Sequence, residues 1–288
     1  MSLLNLVNRG IVSVVPLLPD TFIHKVASRY IAGETIDQVI QKAEWFKKQG
    51  VSSTINLLGE HVQNSGEADL EANEYVKLIK EVAEHKLSDD IYISLKPSQF
   101  GLTPKGEFYH TCKSLMRDVI STADAQDISS RIDMEDSRYT NDTLKLWKEL
   151  HWNFPDLGFV VQARLERSLQ DLQNLIHLKP NVRVCKGIYP ETEQAYVKPD
   201  EINANFMRLV GFLMHHGCYT AVATHDPIII NAIKEDNFPK DRFEFQMLYG
   251  VDNEQLIDLA KEGYRTRVYL HYGDWERAKA YSLRRMKE

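Results

Sequence analysis

Cysteine is scarce in this 288-residue sequence. There are three, Cys112, Cys185 and Cys218, odd in number and far apart, with no C-x-x-C pair. That excludes a disulfide framework and a zinc site of the usual spacing, and it suits a reducing compartment. A membrane-spanning run is missing too. The longest greasy stretch, Gly10–Pro19 (GIVSVVPLLP), is far short of the ~20 residues a span needs and holds two prolines. It follows Arg9 as a signal-peptide core would, but no small-x-small cleavage site comes after it. Positive charge is in deficit, 35 Lys+Arg against 41 Asp+Glu for a net charge of -6, and no basic run offsets that. Nucleic acid is therefore not the expected partner. No Pro-, Gly- or Ser-rich linker, low-complexity tract or tandem repeat divides the chain, and no G-x-G-x-x-G fingerprint occurs.

What is present is an ordinary globular composition, 43% hydrophobic and 26% charged. Short β-branched runs mark eight strands, at 53–58, 91–96, 129–134, 158–163, 182–187, 220–225, 243–248 and 266–270. Eight stretches with apolar residues at three- and four-residue spacing lie between and after them, at 70–85, 106–123, 140–152, 168–177, 201–216, 227–235, 253–262 and 275–287. Strands alternating with helices imply a parallel sheet, and the near-continuous apolar look of VVQA or VATH implies strands buried on both faces. The count of eight points to a closed (β/α)8 TIM barrel, an α/β fold, with an open doubly wound sheet as the alternative. Residues 20–48 read as helices. The expected organisation is a helical segment over residues 1–50 flanking a barrel over 51–288, one domain overall.

Function in such a barrel gathers at the C-terminal ends of the strands. Polar groups are dense there: Lys96, Asp133 with Glu135 just beyond, Gln162, Arg164, Arg183, Lys186, His225, Gln246 and Tyr269. Each alone reads as a solvated or paired rim residue, but a whole ring of desolvated charge must pair or meet a ligand. On the last helix Tyr281, Arg284, Arg285 and Glu288 share a face, and two adjacent arginines suit a carboxylate through their planar forks. The residues alone leave rivals open. A Schiff-base lyase would use Lys96 or Lys186, a metal hydrolase would use Asp133, Glu135 and His225 although HxH and HExxH are absent, and a non-catalytic carboxylate-binding barrel would use neither.

Nine segments in order, AGETIDQVIQKAEWFKKQGV, NLLGE, ISLKPS, RIDMEDS, FVVQA, VRVCKGIYPE, ATHDP, FEFQMLYGV and RVYLHYGDWERAKAYSLRRMKE, resemble the FAD-dependent proline dehydrogenases of the monofunctional bacterial type. The resemblance runs from about Ala32 to Glu288. It implies a distorted barrel that binds FAD across the strand ends and oxidises L-proline to 1-pyrroline-5-carboxylate, hydride passing from proline C5 to the flavin N5 and a quinone reoxidising the flavin. It places Lys96, Asp133, Leu248, Tyr269, Tyr281, Arg284 and Arg285 at the substrate, with the arginine pair on the carboxylate and Asp133 as partner of Arg284. Arg183, Lys96 and Asp133 are the implied catalytic groups. Gln162, Arg183, Lys186, Gly187, Thr224, His225 and Glu288 are the implied cofactor contacts, and no metal is expected. Further implications are a separate 1-pyrroline-5-carboxylate dehydrogenase for the product and a cytoplasmic location with peripheral contact at the inner face of the respiratory membrane. Three positions depart from the family pattern: Ile188 where KGAY has Ala, His271 where Pro is usual, and Arg164 in place of an aromatic. Family members commonly continue past the arginine pair, so a trimmed tail is also an open expectation.

Overall fold

A computed structural model describes residues 28–59, 61–189, 191 and 194–278 of the chain. Eight parallel strands close into a barrel in sequence order. They are β1 (Ser52–Leu57), β2 (Ile91–Leu95), β3 (Ser129–Ile132), β4 (Gly158–Gln162), β5 (Val182–Cys185), β6 (Thr220–Ala223), β7 (Phe243–Leu248) and β8 (Thr266–Tyr272). Helix α1 (Ile36–Lys48) precedes β1. The connections carry α2 (Ser65–Glu84), α3 (Tyr109–Asp124), α4 (Thr140–His151), α5 (Ser168–Leu175), α6 (Pro199–His215), α7 (Pro227–Glu235) and α8 (Asn253–Lys261). All eight expected strands are there, their ends within two residues of the sequence reading. Of the expected last helix only residues 275–278 are described, and they are helical. The part of the expected 20–48 helical region before residue 28 lies outside the described residues.

Closure follows from register: β1 pairs with β8 from Ser52↔Arg267 to Leu57↔Tyr272. Outward residues such as Ile55, Ile93, Ile132, Val184, Phe245 and Leu270 are fully buried beneath the helices and form the main apolar core. The inward residues are different. Arg183 reaches Gln246 and Asp133, and Tyr269 reaches Asp133, across strands that are not neighbours, which is possible only inside the barrel; Glu244, Arg267 and Arg131 are buried on the same inward face. The strands thus alternate, apolar outward and polar inward, where the sequence reading expected continuous apolar character on both faces. Small inward residues make the room: Gly158 stands opposite Arg131, and a Cβ there would lie 2.9 Å from its Nε.

Helix starts are set by local chemistry. Asn64 caps α2 by accepting from Glu67 N, and the Glu67 carboxylate reaches back to accept from Gln63 N, the residue before the cap. Asp226 caps α7 through Ile228 N, with Pro227 at the first helical position. The segment before α1 runs beside the mouth of the barrel, Ala32 N donating to His271 O and Gly273 N to Gly33 O. Arg29 crosses so close to Gly250 (φ +81°) that any Cβ there would strike the Arg29 carbonyl.

Candidate active site

One cavity of about 830 Å³ opens at the C-terminal ends of the strands, within the usual range for a small-molecule site, ~300–1,000 Å³. Its floor is a hydrogen-bonded set centred on Asp133, at the end of β3. One carboxylate oxygen, Oδ1, accepts from Ser94 Oγ (2.6 Å) and from Arg183 Nη1 (2.7 Å). The other, Oδ2, accepts from the Tyr269 hydroxyl (2.7 Å). Burial, reinforced by the Asp133 carboxylate, pushes the Tyr269 phenol well above its usual range, so it remains a donor. The Arg183 guanidinium also lies 4.9 Å from the centre of the Tyr269 ring. Below this layer Arg183 Nε donates to Gln246 Oε1 (2.7 Å), and Gln246 Nε2 donates to Glu244 (2.5 Å).

The structure brings most of the expected residues together. Lys96, Asp133, Gln162, Arg183, Lys186, Gly187, Thr224, His225, Leu248 and Tyr269 all line the one cavity. Gln162 is oriented by its amide, which donates to Glu135 O (2.7 Å). Gly187 has φ +95°, and a Cβ on it would sit 2.8 Å from Gln162 Oε1, so the chain after β5 approaches closely only because no side chain is there. Thr224 Oγ1 accepts from Asp226 N, and His225 Nε2 accepts from Leu248 N (3.1 Å), which puts the ring proton on Nδ1. Among the described residues the cationic partner of Asp133 is Arg183. Tyr281, Arg284, Arg285 and Glu288 lie outside the described residues, and with them the expected Asp133–Arg284 contact. The three departures also line the cavity: Ile188, His271 beside the Tyr269 ring at 4.6 Å, and Arg164, whose Nη1 donates to Tyr189 O.

Three contributors carried no role in the sequence reading. Ser94 looks like strand filler, yet its hydroxyl fixes Asp133. Asp226, read as part of a signature, binds Lys186 Nζ through Oδ2 at 2.7 Å while Oδ1 caps α7. Burial raises its pKa, but Lys186 and the Ile228 N–H outweigh that and hold it below the usual carboxylate range. Gln246 stood out as a polar residue in a strand; the alternation F-E-F-Q on β7 is the signal that could have marked it and Glu244 as inward. Among the described residues no group of three or more His, Cys, Asp or Glu side chains could hold a metal ion.

A family model described as proline dehydrogenase matches residues 39–288. Proline dehydrogenase 1 of Bacillus subtilis (strain 168) is 38% identical over 269 residues, spanning 91% of this chain and 86% of that protein. Proline dehydrogenase of Deinococcus radiodurans is 36% identical over 271 residues with the same coverage. Among solved structures, proline utilization A (PutA) from Bdellovibrio bacteriovorus inactivated by N-propargylglycine superposes with a TM-score of 0.84 at 23% identity, over 91% of this chain. That likeness shows the fold, a (β/α)8 barrel, and this chain spans about a third of the other's length, 32%. With a family model matching residues 39–288 and relatives above 30% identity over 91% of its length, the chain belongs to the proline dehydrogenase family.

Proposed function

We propose that this chain oxidises L-proline to 1-pyrroline-5-carboxylate, the first step of proline catabolism, using FAD held across the strand ends. The observation that carries the reading is the convergence of Lys96, Asp133, Arg183 and Tyr269 on one cavity in a chain of this family. The cavity's chemistry fits a flavin. Arg183 Nη2 and Arg164 Nε are buried donors without a partner among the described residues. Gly187 offers a close backbone approach, and Lys186 supplies a cation beside it for a diphosphate. When bound, the flavin supplies a two-electron acceptor that takes hydride from proline C5.

The chain's own residues do the remainder. Arg183 would stabilise negative charge on a reduced flavin held in this cavity. Asp133, with all three of its donors in place, holds Arg183 and Tyr269 in fixed positions. Arg284 and Arg285 are the proposed carboxylate clamp, which with Lys96 would compensate the proline carboxylate and favour the uncharged amine whose lone pair assists oxidation. Tyr269 and Leu248 are the proposed walls for the proline ring, with Tyr281 as a further proposed substrate contact. Gln162, Lys186, Gly187, Thr224, His225 and Glu288 are the proposed flavin contacts. A membrane quinone is the proposed second acceptor, reached through peripheral contact at the inner face of the respiratory membrane. A separate dehydrogenase is the proposed consumer of the product, an aldehyde equivalent. No helix among the described residues is long and apolar enough to cross a membrane.

Purified protein should be yellow and should bleach anaerobically on adding L-proline, with one 1-pyrroline-5-carboxylate formed per flavin. A colourless protein that refuses FAD, or one trapped covalently to substrate by borohydride through Lys96 or Lys186, overturns the reading.

A further inference from the structure

The barrel interior below the cavity holds a chain of hydrogen bonds whose direction is fixed at every link. Arg267 can only donate, and its Nε reaches both oxygens of Glu244 at 3.0 and 3.1 Å. Glu244 is fully buried; burial raises its pKa, but Arg267 and Arg131 outweigh that and hold it below the usual carboxylate range, so it only accepts. Gln246 lies between this acceptor and a donor. Its Nε2 must face Glu244 (2.5 Å), and its Oε1 must then face Arg183 Nε (2.7 Å). A flipped amide would set N–H against N–H on one side and oxygen against carboxylate on the other. Arg183 Nη1 is bound to Asp133. With Nε and Nη1 both held, Nη2 is the one nitrogen of that guanidinium without a partner among the described residues, on a side chain that lines the cavity.

We propose that Glu244, which does not line the cavity, is a positioning residue for the oxidation. Backed by Arg267, it sets the orientation of the Gln246 amide, and Gln246 holds the Arg183 guanidinium in place at the cavity wall, beside the proposed flavin. This rests on the functional reading above and adds to it a residue that touches neither proline nor cofactor. Gln246 is the only link between Glu244 and Arg183 that these hydrogen bonds provide, so an effect of Glu244 relayed by hydrogen bonding passes through Gln246 to Arg183; the double variants separate it from a direct effect of Gln246, which itself lines the cavity. A purely structural Glu244 would instead lower stability and leave the flavin's properties alone.

The test uses the FAD-loaded full-length protein with Glu244→Gln, Gln246→Met, Arg183→Met and the two double variants that combine the first two with the third. Three quantities are measured: the flavin midpoint potential by spectroscopic titration, FAD affinity by fluorescence on reconstituting the apoprotein, and kcat and KM for proline. Glu244→Gln and Gln246→Met should each lower kcat roughly tenfold, less than the ~100- to 1,000-fold lost when a preorganised donor is itself removed, because Arg183 stays in place but less firmly held, with KM within about twofold. Both should move the midpoint potential in the direction that Arg183→Met moves it. In the Arg183→Met background each should have almost no further effect. Full additivity in the double variants, an unmoved midpoint potential, or a loss confined to KM overturns the inference. Should Glu244→Gln leave Arg267 unpaired and fail to fold, Gln246→Met keeps the Glu244–Arg267 pair and the side-chain volume and carries the test. A wild-type protein that binds no flavin overturns the functional reading itself; one that binds flavin and oxidises proline while the doubles are additive overturns this inference alone.

Discussion

Asp133 shows how much one carboxylate can organise. Three donors from three strands, Ser94, Arg183 and Tyr269, end on its two oxygens, so their positions are set relative to one another rather than by each strand separately. The charge pair with Arg183 is buried, and a buried pair is kept more readily for the arrangement it enforces than for stability. Gly187 makes the complementary contribution by having no side chain. Gly187→Ala would adopt a left-handed φ of +95° and push a methyl to 2.8 Å from Gln162 Oε1. The backbone strain alone is about 1–2 kcal/mol. Relief must come from displacing Gln162 or the chain after β5, both of which are proposed flavin contacts. The expected outcome is a folded protein with a thermal midpoint only slightly lowered and FAD affinity reduced at least tenfold, read by fluorescence titration. Unchanged affinity would remove Gly187 and Gln162 from the cofactor side.

At the scale of elements, the barrel inverts the usual layering by putting charge inside. Arg131, Arg183 and Arg267 face Asp133 and Glu244, three cations against two anions, all within the strand cylinder. Arg131 has burial and then the charge of Arg183 bringing it down to about 10, still a cation at neutral pH. Arg267 lies 3.8 Å from the centre of the Tyr92 ring, donates to Ser53 O and Asp90 O, and binds Glu244. Arg267→Met leaves Glu244 buried without its main cation and should cost about 3–5 kcal/mol in urea unfolding. Glu244→Met/Arg267→Met should recover much of that. The sign with pH is definite. Glu244 folded titrates below its ordinary 4.5, so its stabilisation is present above that value and lost as pH falls through the folded value. The double variant should therefore lose stability less steeply than wild type below about pH 4.5; equal slopes would separate Glu244 from acid unfolding. The existence and order of the strands were legible because β-branched runs and helical periods alternate cleanly. The inward polar face was not read, although R-I-D, V-R-V-C, F-E-F-Q and T-R-V-Y all alternate, because expecting a doubly buried strand to be apolar throughout hides the period of two. Lys96, Gln162, Arg183 and Tyr269, which line one cavity, were singled out from the sequence because strand ends are where a barrel keeps its site. Ser94 and Asp226 were not, since a serine within a strand and an aspartate before proline each have an ordinary local explanation, and only the third dimension gives them a second one.

For the whole molecule, closure makes the site and the fold one cooperative object. The cavity takes its lining from the ends of seven strands, Lys96 after β2, Asp133 after β3, Gln162 from β4, Arg183 from β5, Thr224 after β6, Leu248 from β7 and Tyr269 from β8. A ligand there cannot be released by fraying one element. Short of simple dissociation through the open mouth, the site is lost when the interior network opens, and that network spans strands whose pairing closes the barrel. FAD should therefore stabilise the global transition rather than a local one. Binding to the folded state alone adds about 2.7 kcal/mol at a ligand concentration 100 times Kd. At the ~2–4 °C per kcal/mol typical of domains somewhat smaller than this one, the thermal midpoint should rise by about 5–10 °C over the apoprotein. Far-UV circular dichroism and tryptophan emission should shift together. Trp147, buried between α4 and β4 against Phe159 at 4.5 Å, reports on the wall remote from the cavity and should move with the flavin signal itself. A flavin signal lost well before Trp147 changes would mean that the site opens on its own and that the interior network does not couple it to closure of the barrel.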